Sequence, residues 1–368
     1  MPVARSILGT WQGEKGEQWS SAQGLESVLL SIQSLMSNNP YENEPGYDQR
    51  KTKEDESNMK SYAAKVVQLS NCFALDGLTG LYVIKIRHEC LRLAVIEPLE
   101  SALGIRTGAK TCSSNAVDNE ELNLGDDTST KFCDLRKRRF LWYFESYIRT
   151  INAAEKETSG KRAFETMPFE GLGNEMAGHF NYPDLRQRLV QVRDKIIDET
   201  HSWLAEGLYS KKQELGIAAS LQRQYEQCAE DFRRQKNFTI SLSLVGGNPF
   251  LWEFTYFGRP MTYLDGGIFK FKIYLSSRFP DEEPRVFIES PLFHIRVSPL
   301  GVLCYIPQRA DEMRFHIEAI VAAMEEESPP YDPRTTVNPE ATQLFWGSPE
   351  NRKQYHRALR RSVEKSIE

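Results

Sequence analysis

Hydrophobic and polar residues alternate with a period of two in two segments of the C-terminal half. This pattern is typical of strands in an antiparallel sheet with one buried face. Turn sequences at residues 246–249 and 265–267 separate the segments, and further strands are expected at residues 252–254 and 286–288. The chain therefore favours an antiparallel meander of four strands. The alternating hydrophobic residues are Ile240, Leu242 and Leu244, then Phe269, Phe271, Ile273 and Leu275.

Helical periodicity flanks this meander on both sides. A final helix is predicted from about residue 350 to 366, in a segment rich in Arg and Lys. A helix, four strands and further helices indicate an α+β domain at residues 218–368. The apolar residues at helical spacing are Leu221, Tyr225, Cys228, Ala229 and Phe232 before the sheet, and Phe315, Ile317, Ile320, Val321 and Met324 after it.

The charge balance points to a protein partner. The chain has 46 Lys and Arg against 51 Asp and Glu, a formal charge of −5, which argues against general nucleic-acid binding. Its six cysteines form no Cys-x-x-Cys pair, so neither a disulfide framework nor a metal site is expected, and no cofactor motif is present. No apolar run is long enough to span a bilayer. We expect a cytosolic or nuclear protein that does not bind a membrane.

Cys304 is a lone thiol on a loop that follows the fourth strand. His294 stands ten residues before it, and residues 331–333 (Tyr-Asp-Pro) and 337–341 (Val-Asn-Pro-Glu-Ala) follow the next predicted helix. Upstream lie residues 257–260 (Phe-Gly-Arg-Pro) and 263–269. This order resembles the catalytic domain of the ubiquitin-conjugating enzymes, the UBC fold.

The resemblance implies acyl transfer at Cys304. The thiolate would take the C-terminus of ubiquitin or a ubiquitin-like protein from a ubiquitin-activating enzyme, and a lysine would then attack the thioester. A ubiquitin ligase is a further candidate partner. His294 matches the start of the family's His-Pro-Asn sequence, and Asp332 matches the acidic residue that orients and deprotonates the incoming lysine.

Arg296 occupies the position of the asparagine that normally stabilises the oxyanion in this family. A guanidinium cannot fill the same space, although it could reach the developing charge from a longer distance. Residues 279–284 form a shorter, acidic version of the loop that ligases grip, and residues 310–314 replace the usual Trp-Ser-Pro-Ala sequence. Ile306 replaces an acidic residue. Docking of ordinary RING ligases is therefore in question.

Two functions remain open at this stage. The domain is either a divergent conjugating enzyme that charges Cys304, or an inactive UBC-like scaffold that binds ubiquitin or a partner conjugating enzyme. In the second case Cys304 is a small buried residue, since thiols are often buried for packing alone. We favour the enzyme because the glycine-bounded loop and the His294 spacing occur together.

The N-terminal half resembles another part of the same family. Residues 6–11, 31–35, 43–47 and 86–89 are similar to the region beyond the catalytic cysteine in the enzyme Z branch and the giant conjugating enzymes. Residues 140–144, 167–170 and 178–182 are similar to the C-terminal extension of that branch, and the whole likeness covers about residues 5–205. Residues 1–110 are thus predicted to be a truncated UBC-like segment with Ala4 in the nucleophile position.

The remaining boundaries follow from composition. Residues 111–130 are polar and acidic without periodicity, which predicts a disordered loop, and residues 131–210 are predicted to be a helical extension. An apolar stripe between Leu25 and Met36 lacks a sheet to cover it. We favour an incomplete gene model over a helical docking remnant as the explanation.

Two smaller groups of residues have structural interpretations. Residues 136–139 (Arg-Lys-Arg-Arg) are compatible with a nuclear-import signal, but a solvated helix face is favoured. Cys90 is predicted to be a buried structural thiol in a helix.

Overall fold

The computed structural model describes residues 87–105, 132–157, 163–164, 178–213, 216–235 and 239–368. The chain divides into two compact units, one formed by Met1–Ala94 and Ala153–Tyr182, the other by Val95–Asn152 and Pro183–Glu368. Only residues 87–105 of the predicted truncated segment 1–110 are described; Ala4, the apolar stripe between Leu25 and Met36 and the acidic loop at 111–130 lie outside the described residues.

The second unit contains a four-stranded antiparallel sheet in the order β1-β2-β3-β4. The strands are β1 (Ile240–Leu244), β2 (Leu251–Phe257), β3 (Ile268–Tyr274) and β4 (Arg285–Ile288). Phe254 lies opposite Phe271, and Tyr256 opposite Phe269, on one buried face. The meander predicted from the alternating pattern is therefore confirmed.

Helices precede and follow this sheet. Those before it are α1 (Glu97–Ala102), which continues a π-helical segment at Cys90–Ile96, α2 (Cys133–Glu157), α3 (Tyr182–Lys212) and α4 (Gly216–Arg234). Those after it are α5 (Met313–Glu325), α6 (Pro339–Phe345) and α7 (Pro349–Lys365). Buried residues of α4 to α7, among them Leu221, Ile317, Phe345 and Tyr355, form one core with the inner face of the sheet. The α+β class is confirmed.

The outer face of the sheet is covered in part, which the alternating pattern did not predict. Trp203 of α3 packs against Leu251 and Tyr274 on this face. One turn later, Gly207 of α3 lies close to Phe250, since a Cβ on Gly207 would be 2.3 Å from Cγ of Phe250. Period-two patterning marks the face that buries most apolar area, but it carries no information about a helix that docks on the other face.

The basic residues at 136–139 differ from the prediction of a solvated helix face. Lys137 is buried and donates to both carboxylate oxygens of Glu199 on α3, at 2.6 and 2.8 Å. Arg138 is largely buried and pairs with Glu283 at 2.5 Å. Carboxylates from distant parts of the chain therefore compensate the buried charges, and this part of α2 is an interface within the protein.

In the first unit, aromatic rings surround His88. Its Nε2 accepts a hydrogen bond from the backbone N–H of Asn181 at 3.0 Å, and its Nδ1 therefore donates to Glu89, at 2.8 Å. The rings of Phe164 and Phe180 pack edge-on against the imidazole. Cys90, at the start of the π-helical segment, is half-buried rather than buried, whereas the neighbouring Leu91 is buried.

Candidate active site

Cys304 lies at the end of a loop that returns to the edge strand of the sheet. Val302, just before it, forms an isolated bridge with Phe287 of β4. Gly301 has a φ of 77°, and a Cβ on it would lie 2.7 Å from the carbonyl oxygen of Ile288. Only glycine adopts this conformation without strain. The return of the loop to β4 therefore depends on Gly301.

The Cys304 side chain is fully buried. Its exposed fraction is 0 %, and its backbone N–H donates to the carbonyl oxygen of Arg296 at 2.8 Å. Burial raises the pKa of the thiol to about 12, although the positive charges of Arg296 and Arg139 oppose this shift. The thiol is therefore almost entirely protonated at neutral pH in this conformation, whereas acyl transfer requires the thiolate.

Arg296 pairs with Glu326 and interacts with Cys304 through its guanidinium. Its terminal nitrogen pairs with Glu326, while its Nε is buried without a hydrogen-bond partner among the residues that the structure describes. A buried donor without a partner is uncommon and costs free energy. Because the guanidinium also lowers the pKa of the Cys304 thiol, this N–H belongs to a group that interacts with the cysteine.

His294 is buried and fixes the backbone that carries Arg296. Its Nδ1 accepts a hydrogen bond from the Arg296 backbone N–H at 3.2 Å. Burial, helped by the charge of Arg296, lowers the pKa of His294 to about 3. The imidazole is therefore neutral at physiological pH, and its hydrogen bond holds the backbone of the loop at Arg296.

Asp332 lies in the loop between α5 and α6. Its carboxylate accepts hydrogen bonds from the backbone and the guanidinium of Arg334, both at 2.9 Å, and this pairing lowers the pKa of Asp332. The Asp332 charge in turn contributes to the raised pKa of Cys304. Cys304, Arg296, His294 and Asp332 are thus grouped by contacts and charge, while their catalytic roles stay predictions.

Asn338 joins the two loops, a role that the sequence analysis missed. Its Nδ2 donates to the carbonyl oxygen of Val297 at 3.2 Å. Its Oδ1 accepts from the backbone N–H of Ala341 at 3.1 Å and so caps the start of α6. An asparagine followed by proline at a helix start was the available sequence signal for the cap. The contact with Val297 had no such signal.

Two residues of α2 also belong to this site. The Tyr143 hydroxyl donates to the carbonyl oxygens of Arg334, at 2.6 Å, and of Pro333, at 3.3 Å. Burial first, and then the interaction with Cys304, raise the pKa of Tyr143 to about 12. Arg139, one helical turn earlier, interacts electrostatically with the same thiol. Their partners are far along the chain, so local patterns could not identify them.

Of the cysteines in the described part of the chain, Cys133, Cys228 and Cys304 are free thiols. The same residues contain no group of three or more His, Cys, Asp or Glu that could hold a metal ion. Within those ranges, every helix is too short or too polar to cross a bilayer.

A family model of ubiquitin-conjugating enzymes matches residues 220–361. Ubiquitin-conjugating enzyme E2 Z of Homo sapiens is 30% identical over 204 residues, which cover 55% of this chain and 42% of that protein. The E2 Z of Danio rerio is 42% identical over 98 residues, or 27% of this chain and 22% of that protein. The chain thus spans less than half the length of these E2 Z relatives.

Ubiquitin-conjugating enzyme E2 2 of Neurospora crassa is 31% identical over 144 residues, which cover 38% of this chain and 92% of that enzyme. Nearly a whole conjugating enzyme is therefore matched. The range of the family model includes the four strands, Cys304 and the helices that follow it. Together with the α+β architecture, these matches show that the chain belongs to the ubiquitin-conjugating enzyme family.

Proposed function

We propose that this chain is a ubiquitin-conjugating transferase of the E2 type, with Cys304 as its nucleophile. The Cys304 thiolate attacks the thioester between an activating enzyme and the C-terminus of ubiquitin or a ubiquitin-like protein. The thiolate of the activating enzyme leaves, and the modifier is now bound to Cys304. A lysine amine, or the cysteine of a ligase, then attacks this thioester and releases the Cys304 thiolate.

The observation that supports this proposal most directly is the unpartnered Nε of Arg296 beside the cysteine. A tetrahedral intermediate on Sγ carries a negative oxygen, which needs a hydrogen-bond donor in a water-poor site. Arg296 supplies such a donor in place of an amide. Its pairing with Glu326 holds the guanidinium without using the Nε–H.

Asp332 has the properties of a group that orients and deprotonates the incoming lysine. Its pKa is lowered, so the carboxylate is ionised at neutral pH, and it lies in the electrostatic range of Cys304. A carboxylate in this position orients the ammonium group of an incoming lysine and accepts its proton as the amine attacks. The pairing with Arg334 must loosen for this contact to form.

Thioester formation tests the proposal directly. The full chain is incubated with a ubiquitin-activating enzyme, ATP and ubiquitin, and the products are separated on a non-reducing gel. We expect a thiol-sensitive adduct in the native chain, a thiol-resistant ester in Cys304→Ser and no adduct in Cys304→Ala. Cys228→Ala is the matched control, because Cys228 is also a buried thiol with a raised pKa. An adduct that persists in Cys304→Ala would contradict the assignment.

A second function is favoured by one observation, the complete burial of Cys304. An inactive UBC-like scaffold would keep the thiol for packing and would bind ubiquitin or a partner conjugating enzyme through its surface. Such binding should be the same in the native chain and in Cys304→Ala. Calorimetric titration of both proteins with ubiquitin, together with a failure to form the adduct, would favour the scaffold.

We also propose a reducing compartment, the cytosol or the nucleus, as the site of action. The free thiols of Cys133, Cys228 and Cys304 support this proposal. Fluorescence microscopy of the tagged full chain is the corresponding test.

A further inference from the structure

Helix α2 is attached to the sheet domain near its first residues by two ion pairs. Asp134 accepts a hydrogen bond from Arg285 at 2.5 Å and another from the backbone N–H of Glu283 at 3.3 Å. Arg138 donates to the carboxylate of Glu283 at 2.5 Å. Glu283 belongs to the acidic loop at residues 279–284, and Arg285 is the first residue of β4. The N-terminal end of α2 is therefore bound to this loop and to the start of β4.

The same helix contacts the other side of the Cys304 site through Tyr143. Its hydroxyl binds the carbonyl oxygens of Pro333 and Arg334, in the loop that carries Asp332. Tyr143 itself and Arg139, which lies between the two attachments, interact electrostatically with the Cys304 thiol. The helix is thus fixed at two points, one at the start of β4 and one in the loop that carries Asp332.

The buried position of Cys304 excludes the substrate. The C-terminus of a modifier must reach Sγ of Cys304, and the fully buried side chain offers no approach. The attachment is also costly to break locally, because Arg285 is buried and would lose its carboxylate partner. A buried charge that loses its partner is strongly destabilising. A thioester therefore cannot form until α2 or a loop moves.

We infer that residues 133–152 of α2 are a built-in inhibitor that closes the Cys304 site and must be displaced before the cysteine accepts a modifier. The regulatory consequence of this closure rests on the proposed function, since closure regulates transfer only if Cys304 is the nucleophile. The closure itself limits access to the Cys304 thiol, and this access can be measured without any conjugation reaction.

Alkylation of the full chain by N-ethylmaleimide, followed by mass spectrometry of the peptides, measures this access. Cys228 on α4 is the internal control, because it is also buried with a pKa raised to about 12, yet it lies in the core under the sheet. Global unfolding exposes both thiols. Displacement of α2 exposes Cys304 alone.

Three variants are compared with the native chain. Arg138→Glu places a third carboxylate beside those of Asp134 and Glu283 and should displace the helix. Arg138→Glu combined with Glu283→Arg restores opposite charges. Arg360→Glu makes the same charge change on the exposed surface of α7 and serves as the control.

In the native chain, Cys304 should be alkylated at least about a hundredfold more slowly than the half-buried Cys133, a protection equivalent to about 2.7 kcal/mol. Arg138→Glu should raise the Cys304 rate about tenfold while Cys228 is unchanged, and the double variant should reverse most of the gain. Arg360→Glu should have no effect. Equal rates for Cys304 and Cys133 in the native chain, or a joint rise of Cys304 and Cys228, would overturn the inference.

A charging assay on the same proteins separates this inference from the proposed function. If Arg138→Glu exposes Cys304 but no thioester forms with activating enzyme, ATP and ubiquitin, the closure stands and the proposed function fails. If the native chain charges rapidly and Cys304 is alkylated rapidly, the proposed function stands and the closure fails. If both hold, Arg138→Glu should charge faster than the native chain and the double variant.

Discussion

Replacement of Asn338 by alanine should weaken both the start of α6 and the cysteine loop. Loss of the cap on Ala341 costs about 1 kcal/mol. The carbonyl oxygen of Val297 also loses its donor in a buried position, which adds about 1–3 kcal/mol. We expect Asn338→Ala to lower the free energy of unfolding by about 2–4 kcal/mol in total. Denaturant unfolding of the full chain, followed by tryptophan fluorescence, measures this difference.

Ser348→Ala is the matched control for this prediction. Ser348 caps α7 through the backbone N–H of Asn351 at 3.3 Å, but it is exposed, and its side chain makes no second hydrogen bond to any residue that the structure describes. Its replacement should cost about 1 kcal/mol or less. In addition, only Asn338→Ala should accelerate alkylation of Cys304, because only Asn338 binds the cysteine loop. Equal losses of stability in the two variants, with unchanged alkylation, would refute the two-role interpretation of Asn338.

Three further outcomes are expected. Burial lowers the pKa of His294 to about 3 and that of His316, a buried residue of α5, to about 4. The neutral forms therefore stabilise the fold fully above the pKa of an unfolded histidine, near 6.5, and this stability is lost as the pH falls below that value. Between pH 6 and 5, each histidine should lower the free energy of unfolding by about 1.4 kcal/mol per pH unit. Denaturant unfolding at several pH values tests this, and an equally steep pH dependence in His316→Gln and in the native chain would contradict it. Arg296→Ala should slow single-turnover discharge of a preformed thioester to free lysine by about 100-fold if the guanidinium is the oxyanion donor, whereas a donor-free role would leave the rate unchanged and let Arg296→Asn accelerate it. Gly207→Ala should lower the free energy of unfolding by about 1–3 kcal/mol, because the added methyl group would overlap Phe250. Gly216→Ala, at the start of α4 where a Cβ meets no neighbour, should not lower it, and thermal unfolding of both variants measures the difference.

The sheet could be predicted from the sequence because its signal is local. Alternation at Phe269 and Phe271 identifies the buried face without any knowledge of the rest of the chain. Cys304 and Asp332 were identified through short motifs that occur in a family order. Tyr143 gave no such signal, since its partners lie 190 and 191 positions away. The burial of Lys137 was missed for the same reason, because its carboxylate partner comes from another helix.

The attachments of α2 have a consequence for the motions of the two loops beside Cys304. An α-helix rises about 1.5 Å per residue, so the nine positions from Asp134 to Tyr143 form a stiff spacer of about 13 Å between the attachment points. Neither loop can shift along the helix axis unless the other moves or a bond at one end breaks. Backbone amides near Glu283 and near Arg334 should therefore exchange their hydrogens as one cooperative unit, at a common opening free energy, although about fifty residues of chain separate them.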